Sequence, residues 1–193
     1  MAIIFLLLFV LVPVGVSASA ISRSYRIDGS PSKGNLVSLD ASQSGVGHLA
    51  NITNSSDLLG AVVGQDDSLL VIDPTDGTVE VAIGGTAPVL VSTVNGDIKV
   101  GDLISVSPII GVGMKAEEGL PVIGRAQTAF TAQSTTGTSR QITDKNGKTK
   151  NVQMGFVSVE IKINTSPEGT APINTLQKIV KGITGRVIST VRI

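Results

Sequence analysis

Between Ile21 and Ile163 the chain alternates short apolar runs with turn residues, and no helical periodicity of useful length appears before Asn174. The apolar runs predict strands over 35–39, 58–63, 69–72, 79–83, 89–94, 103–106, 113–116, 122–126 and 152–163. The breaks between them are Asp28-Gly29, Asp73-Pro74, Asp76-Gly77, Gly84-Gly85, Asn95-Gly96, Gly101-Asp102 and Asn146-Gly147. Asn-Gly and Asp-Gly are strong hairpin signals because both central residues tolerate positive φ. Many short strands at this spacing predict a mainly β fold, an antiparallel barrel or sandwich rather than a parallel α/β sheet. The last strand ends in clean alternation: Val157, Val159, Ile161 and Ile163 face one way, Ser158, Glu160 and Lys162 the other. That pattern is a half-buried strand with one wet face.

One internal segment and the two ends depart from this pattern. Residues 131–150 read TAQSTTGTSRQITDKNGKTK, polar and nearly free of large apolar side chains. They predict an exposed hairpin arm or insertion turning near Asn146-Gly147. At the N-terminus, Ala2 to Val16 is almost wholly apolar and is followed by Ser17-Ala18-Ser19-Ala20. An apolar run followed by small residues has the form of an export signal cut after Ala18 or Ala20. No Lys or Arg precedes the run, so retention as a membrane anchor stays open.

At the C-terminus, Leu176, Ile179, Val180, Ile183, Val187 and Val191 fall at helical spacing, with Lys178, Lys181, Arg186 and Arg192 among them. Pro172 and Asn174 suit a helix start. This predicts a basic amphipathic helix that lies on an anionic membrane or packs on the β domain. Gly182 and Gly185 each weaken it by about 1 kcal/mol. The ending Val191-Arg192-Ile193 suggests that a further apolar segment follows. The expected organisation is a leader or anchor over 1–20, a β domain over 21–165, and a linker with helix over 166–193.

Composition narrows the function classes. Hydrophobic residues make up 41% and aromatics 3%, with no Trp and only Tyr25, so Val, Ile, Leu and Ala must build the core. Fifteen basic residues balance 15 acidic ones. Neutrality argues against a nucleic-acid partner, whose phosphates call for a basic face, and scarce aromatics remove the stacking platform of single-strand binders. Charged residues are 16%, below the roughly 25% of ordinary soluble domains. Mean hydropathy of +0.35 points the same way, towards an envelope protein. With no cysteine there is no disulfide, thiolate metal site or cysteine nucleophile, and His48 is the only histidine.

No catalytic, cofactor-binding or metal-ligating set emerges. Gly84-Gly85 and Gly111-Val112-Gly113 lack the phosphate-loop pattern. Asp66, Asp67, Asp73, Asp76, Asp97 and Asp102 do not follow calcium-loop spacing, and turn Asp residues usually bond their own backbone. Ser105, Ser107 and Lys115 are close across a predicted hairpin, but such neighbours are common in a Ser-rich strand protein. His48 reads as a surface residue on a loop or strand edge. Asn51, Asn54 and Asn164 begin formal glycosylation sequons that carry little weight here.

The stretch 88–130 carries a family resemblance. It runs strand, Asn95-Gly96, Ile98-Lys99-Val100-Gly101-Asp102-Leu103, Gly111-Val112-Gly113-Met114-Lys115-Ala116, then Val122-Ile123-Gly124-Arg125-Ala126. It resembles the intramolecular-chaperone or peptidase G2 β domains of phage appendages. It is also similar to membrane-anchored extracytoplasmic proteins of host-dependent ultrasmall bacteria. The first resemblance implies autoproteolysis and trimeric assembly, with no catalytic residue transferable; the second implies surface location. The expected function is an extracytoplasmic, membrane-associated structural or interaction module. Its partners would be itself or an envelope or surface protein, with membrane contact through 2–16 and 174–193. The alternatives are an autoproteolytic chaperone-like domain and a small-ligand-binding β-barrel.

Overall fold

In the computed structural model, residues 19–143 and 147–162 are described, and eleven strands among them join into one mixed sheet. They are β1 (Ser19–Asp28), β2 (Leu36–Leu39), β3 (Val46–Leu49), β4 (Leu58–Val62), β5 (Ser68–Ile72), β6 (Val79–Ser92), β7 (Leu103–Val106), β8 (Gly113–Lys115), β9 (Val122–Ala126), β10 (Thr138–Thr143) and β11 (Thr149–Ile161). Short 3₁₀ turns lie at Ile52–Asp57 and Gln65–Asp67. The predicted leader and the C-terminal helix fall outside the described residues.

The long strand β6 organises the sheet. Its first half pairs with β1 and its second half with β11, while β4 and β8 pair along its other edge. Followed from strand to strand, the ladders close twice. One circuit runs β6–β11–β9–β7–β8–β6 and the other β6–β1–β3–β2–β4–β6. Closure satisfies backbone groups that an open sheet leaves at its margins. Only β10 and β5 remain as ends of the strand order.

The sheet is mixed, which corrects the antiparallel expectation: β1 pairs in parallel with β3 and β5, and β6 with β8. In two of these pairs a single strand supplies the crossover, β2 between β1 and β3 and β7 between β6 and β8. Alternation and turn signals mark which residues are extended but carry no information on which partner each strand meets. The bounds of β7 and β9 agree with the sequence pattern. The two predicted strands 79–83 and 89–94 are one, because Gly84-Gly85 does not break the chain. There Gly85 takes φ +79 and the ladder with β1 shifts register between Ile21 and Ser22, so the pair forms a kink inside β6.

Most of the core is Val, Ile, Leu and Ala. One cluster joins both circuits and includes Leu36, Val89, Ile104, Ile123, Phe130 and Val159. A second gathers Tyr25, Val37, Leu59, Val62 and Val81. A third, Ile109, Val112 and Val152 with Ile142 against it, lies under the polar arm. The arm is a hairpin, with Thr138–Thr143 paired to Thr149–Met154, and its strand β10 is largely exposed. Strand β1 starts at Ser19, two residues before the expected domain start, and Ala20 is fully buried between its partners Gly85 and Ser68.

Candidate functional site

A polar cluster surrounds His48 on β3. The ladder sets Asp28 of β1 and Ser38 of β2 beside it. Its Nε2 lies 3.1 Å from Asp40 Oδ2 and its Nδ1 3.6 Å from Asp28 Oδ2. Asp40 Oδ1 also accepts the Ser42 hydroxyl at 2.6 Å and the Ser42 amide at 2.7 Å. These bonds, the Ser42 hydroxyl first, lower the Asp40 carboxyl to about 2. The carboxylates sit on opposite nitrogens of the ring, so they pin the imidazole and do not converge on one ion. Among the described residues the buried Ser38 hydroxyl has no hydrogen-bond partner, the His48 ring included. A nucleophile–base pair needs that bond. The expectation of a surface His fits, with its side chain 41% exposed, but His48 lies on neither a loop nor a strand edge: β3 is flanked by β1 and β2, and His48 is paired on both sides.

The Asp40 contacts set a pH dependence. A carboxyl lowered in the folded state adds stability above its ordinary value of 3.8, and that contribution disappears as pH falls through about 2. Asp40→Asn is therefore expected to lower the urea midpoint near neutrality. The gap from the parent protein closes as pH is taken from about 4 to about 2. A gap that stays constant over that range would show that ionisation of Asp40 does not matter.

The other sequence candidates separate in space or engage the backbone. Ser105 is buried and donates to the Pro121 carbonyl at 2.6 Å, while Ser107 bonds the Ile109 carbonyl and amide. Lys115 pairs instead with Asp102 at 3.1 Å, so no Ser–Lys couple forms. Asp102 also accepts the Lys99 amide, and these contacts hold its carboxyl below the usual range against the opposing effect of burial. Asp67 pairs with Lys33 at 2.7 Å, Asp73 with Arg23 at 3.1 Å, and Asp97 accepts the Ala132 amide. Asn51 and Asn54 form a reciprocal cap on the turn Ile52–Asp57. Among the described residues no three His, Asp or Glu side chains gather as metal ligands.

Sequence reasoning missed an apolar groove of about 660 Å³ between the arm and the 108–110 turn. Ile52, Val94, Ile109, Ile110 and Ile142 line it, together with Arg140. Its walls come from segments far apart in sequence, so no local pattern announces it. The fold and these clusters define a mainly β protein whose polar groups hold turns and strands in place. No protein-family model matches the chain, and no curated protein matches it.

Proposed function

We propose that this chain is an extracytoplasmic, membrane-associated structural or interaction module of a cell envelope. Its β domain is built as two small barrel-like circuits that share β6. It meets copies of itself, or an envelope or surface protein, through exposed strand edges. The observation that carries this reading is β10, a polar strand at one end of the strand order, paired on one side by β11 and exposed along most of its length. Such an edge offers backbone donors and acceptors to an added strand. The apolar run 2–16 supports membrane attachment, and 174–193 supplies a basic second contact. Removal of a leader after Ala18 would leave β1 whole, whereas a cut after Ala20 would take the buried Ala20 from the sheet.

Neighbouring residues in a strand point their N–H groups to opposite edges, so one of Arg140 and Gln141 donates outward. Proline at that position removes an edge donor and leaves the β11 ladder intact. One of Arg140→Pro and Gln141→Pro is expected to weaken association tenfold or more in analytical ultracentrifugation, with unchanged thermal unfolding; the other destabilises the hairpin. If neither alters association, β10 is not the interface. Intact mass and N-terminal sequencing of membrane and soluble fractions test export, and an internal cut would favour an autoprocessing domain instead. The apolar groove favours a second reading, binding of a small aliphatic ligand.

A further inference from the structure

The groove between the arm and the 108–110 turn carries charge of one sign. Residues two apart in a strand share a face, and so do residues paired directly across a ladder. The arm pairs Arg140 with Val152 and Ile142 with Lys150, which places these four residues on one face of the hairpin. That face is turned to the body of the domain. Val152 is 1% exposed and clusters with Ile109 and Val112, and Ile142 packs against the same cluster. Arg140 and Lys150 are diagonal neighbours on this face, about 7–8 Å apart.

Neither cation meets a carboxylate. Among the described residues no ion pair engages Arg140 or Lys150. Lys150 Nζ donates instead to the Val94 carbonyl at 3.0 Å, and Val94 is itself a groove residue. The Arg140 guanidinium has no hydrogen-bond partner among the described residues, and none of those lining the groove is acidic. Like charges held side by side repel, and an anion set against them offsets that repulsion.

The remaining walls are largely apolar and open to solvent. Ile52 is 44% exposed and Ile110 60%, and with Val94, Ile109 and Ile142 they enclose about 660 Å³. That size falls within the roughly 300–1,000 Å³ of small-molecule sites. An aliphatic chain laid on these side chains gains by leaving water. The planar Arg140 fork can hold both oxygens of a carboxylate in parallel hydrogen bonds, while the Lys150 ammonium is already engaged by Val94.

We propose that the groove binds a single-chain aliphatic carboxylate, with its chain along Ile109, Ile110 and Ile142 and its head on Arg140 beside Lys150. The proposal rests on the reading of the groove as a small-ligand site and adds the class of ligand. A neutral chain would leave both cations uncompensated, and a cationic one would add to their repulsion.

Isothermal titration calorimetry of the full chain compares decanoate, decanol and decyltrimethylammonium, each kept below the concentration at which it aggregates. Decanoate is expected to bind a saturable site at least fivefold more tightly than decanol, with decyltrimethylammonium weakest. Arg140→Gln should bring decanoate down to the level of decanol and leave decanol unchanged. Ile110→Gln should weaken both several-fold. Photolabelling with a diazirine-bearing decanoate, read by peptide mass mapping, should mark residues 108–110 and 140–143. Decanol that equals decanoate, or groove-labelling decanoate whose affinity Arg140→Gln does not change, would overturn the carboxylate assignment and leave the aliphatic groove standing. Label confined to the basic segment 174–193, or no saturable binding by any of the three, would overturn the small-ligand reading of the groove as well.

Discussion

Gly85→Val is expected to destabilise the protein by about 3–5 kcal/mol, the sum of a strained backbone and a steric clash. Gly85 takes φ +79, a conformation that a β-branched residue adopts poorly. A Cβ there would also fall on the carbonyl oxygen of Ser19, which is backbone and cannot swing aside. The position matters because Gly85 is where β6 passes from pairing with β1 to pairing with β11. Both closed circuits run through it. Strain at this point acts on two ladders at once, and a small domain holds only about 5–15 kcal/mol in total. Chemical unfolding followed by circular dichroism measures the loss. Gly84→Ala is the matched control, because a Cβ at Gly84 meets nothing within 4 Å. A Gly85→Val midpoint within error of that control would remove the shared kink from the account.

Phe130→Ala is expected to remove about 3–5 kcal/mol, as large aromatic truncations in cores do. Phe130 is 3% exposed in a core with few aromatic side chains, and its backbone bridges Ile98. Its ring lies over the bare Cα of Gly155 in β11, so a Cβ added there would enter the ring. Gly155→Ala should therefore destabilise as well, by about 1–3 kcal/mol. The two changes touch the same space, so the double variant should lose less than the sum of the singles. A double-mutant cycle by urea denaturation reads the coupling directly. Additive losses would mean that Phe130 and Gly155 do not share a packing contact.

These predictions differ in how visible their residues are along the chain. Turn chemistry was legible: Gly29, Gly77, Gly96, Gly101 and Gly147 all take positive φ at the expected breaks. Strands β7 and β9 were legible to the residue because each is a short apolar run between turn signals. Strand β1 was hidden because its first residues read as the small-residue tail of a leader. Strand β10 was hidden because TSRQIT is exposed on nearly every position and owes its extension to β11, not to a buried face. The polar neighbours of His48 were hidden too, since Asp28 meets it only through the parallel pairing of β1 with β3.

The sequence by itself determined that the protein is mainly β, that its core is aliphatic, and where most turns fall. Those properties follow from side-chain shape and local backbone preference, which act over a few residues. Tertiary structure alone decided the mixed pairing, the fusion of two predicted strands into β6, the two closed circuits and the apolar groove. It also decided which strands were left bare: polar β10 at one end and β5 at the other, with Leu69 in solvent between acidic flanks. A strand's partner is chosen by competition among all the strands for the same backbone hydrogen bonds, and that competition has no signature in any local stretch of sequence.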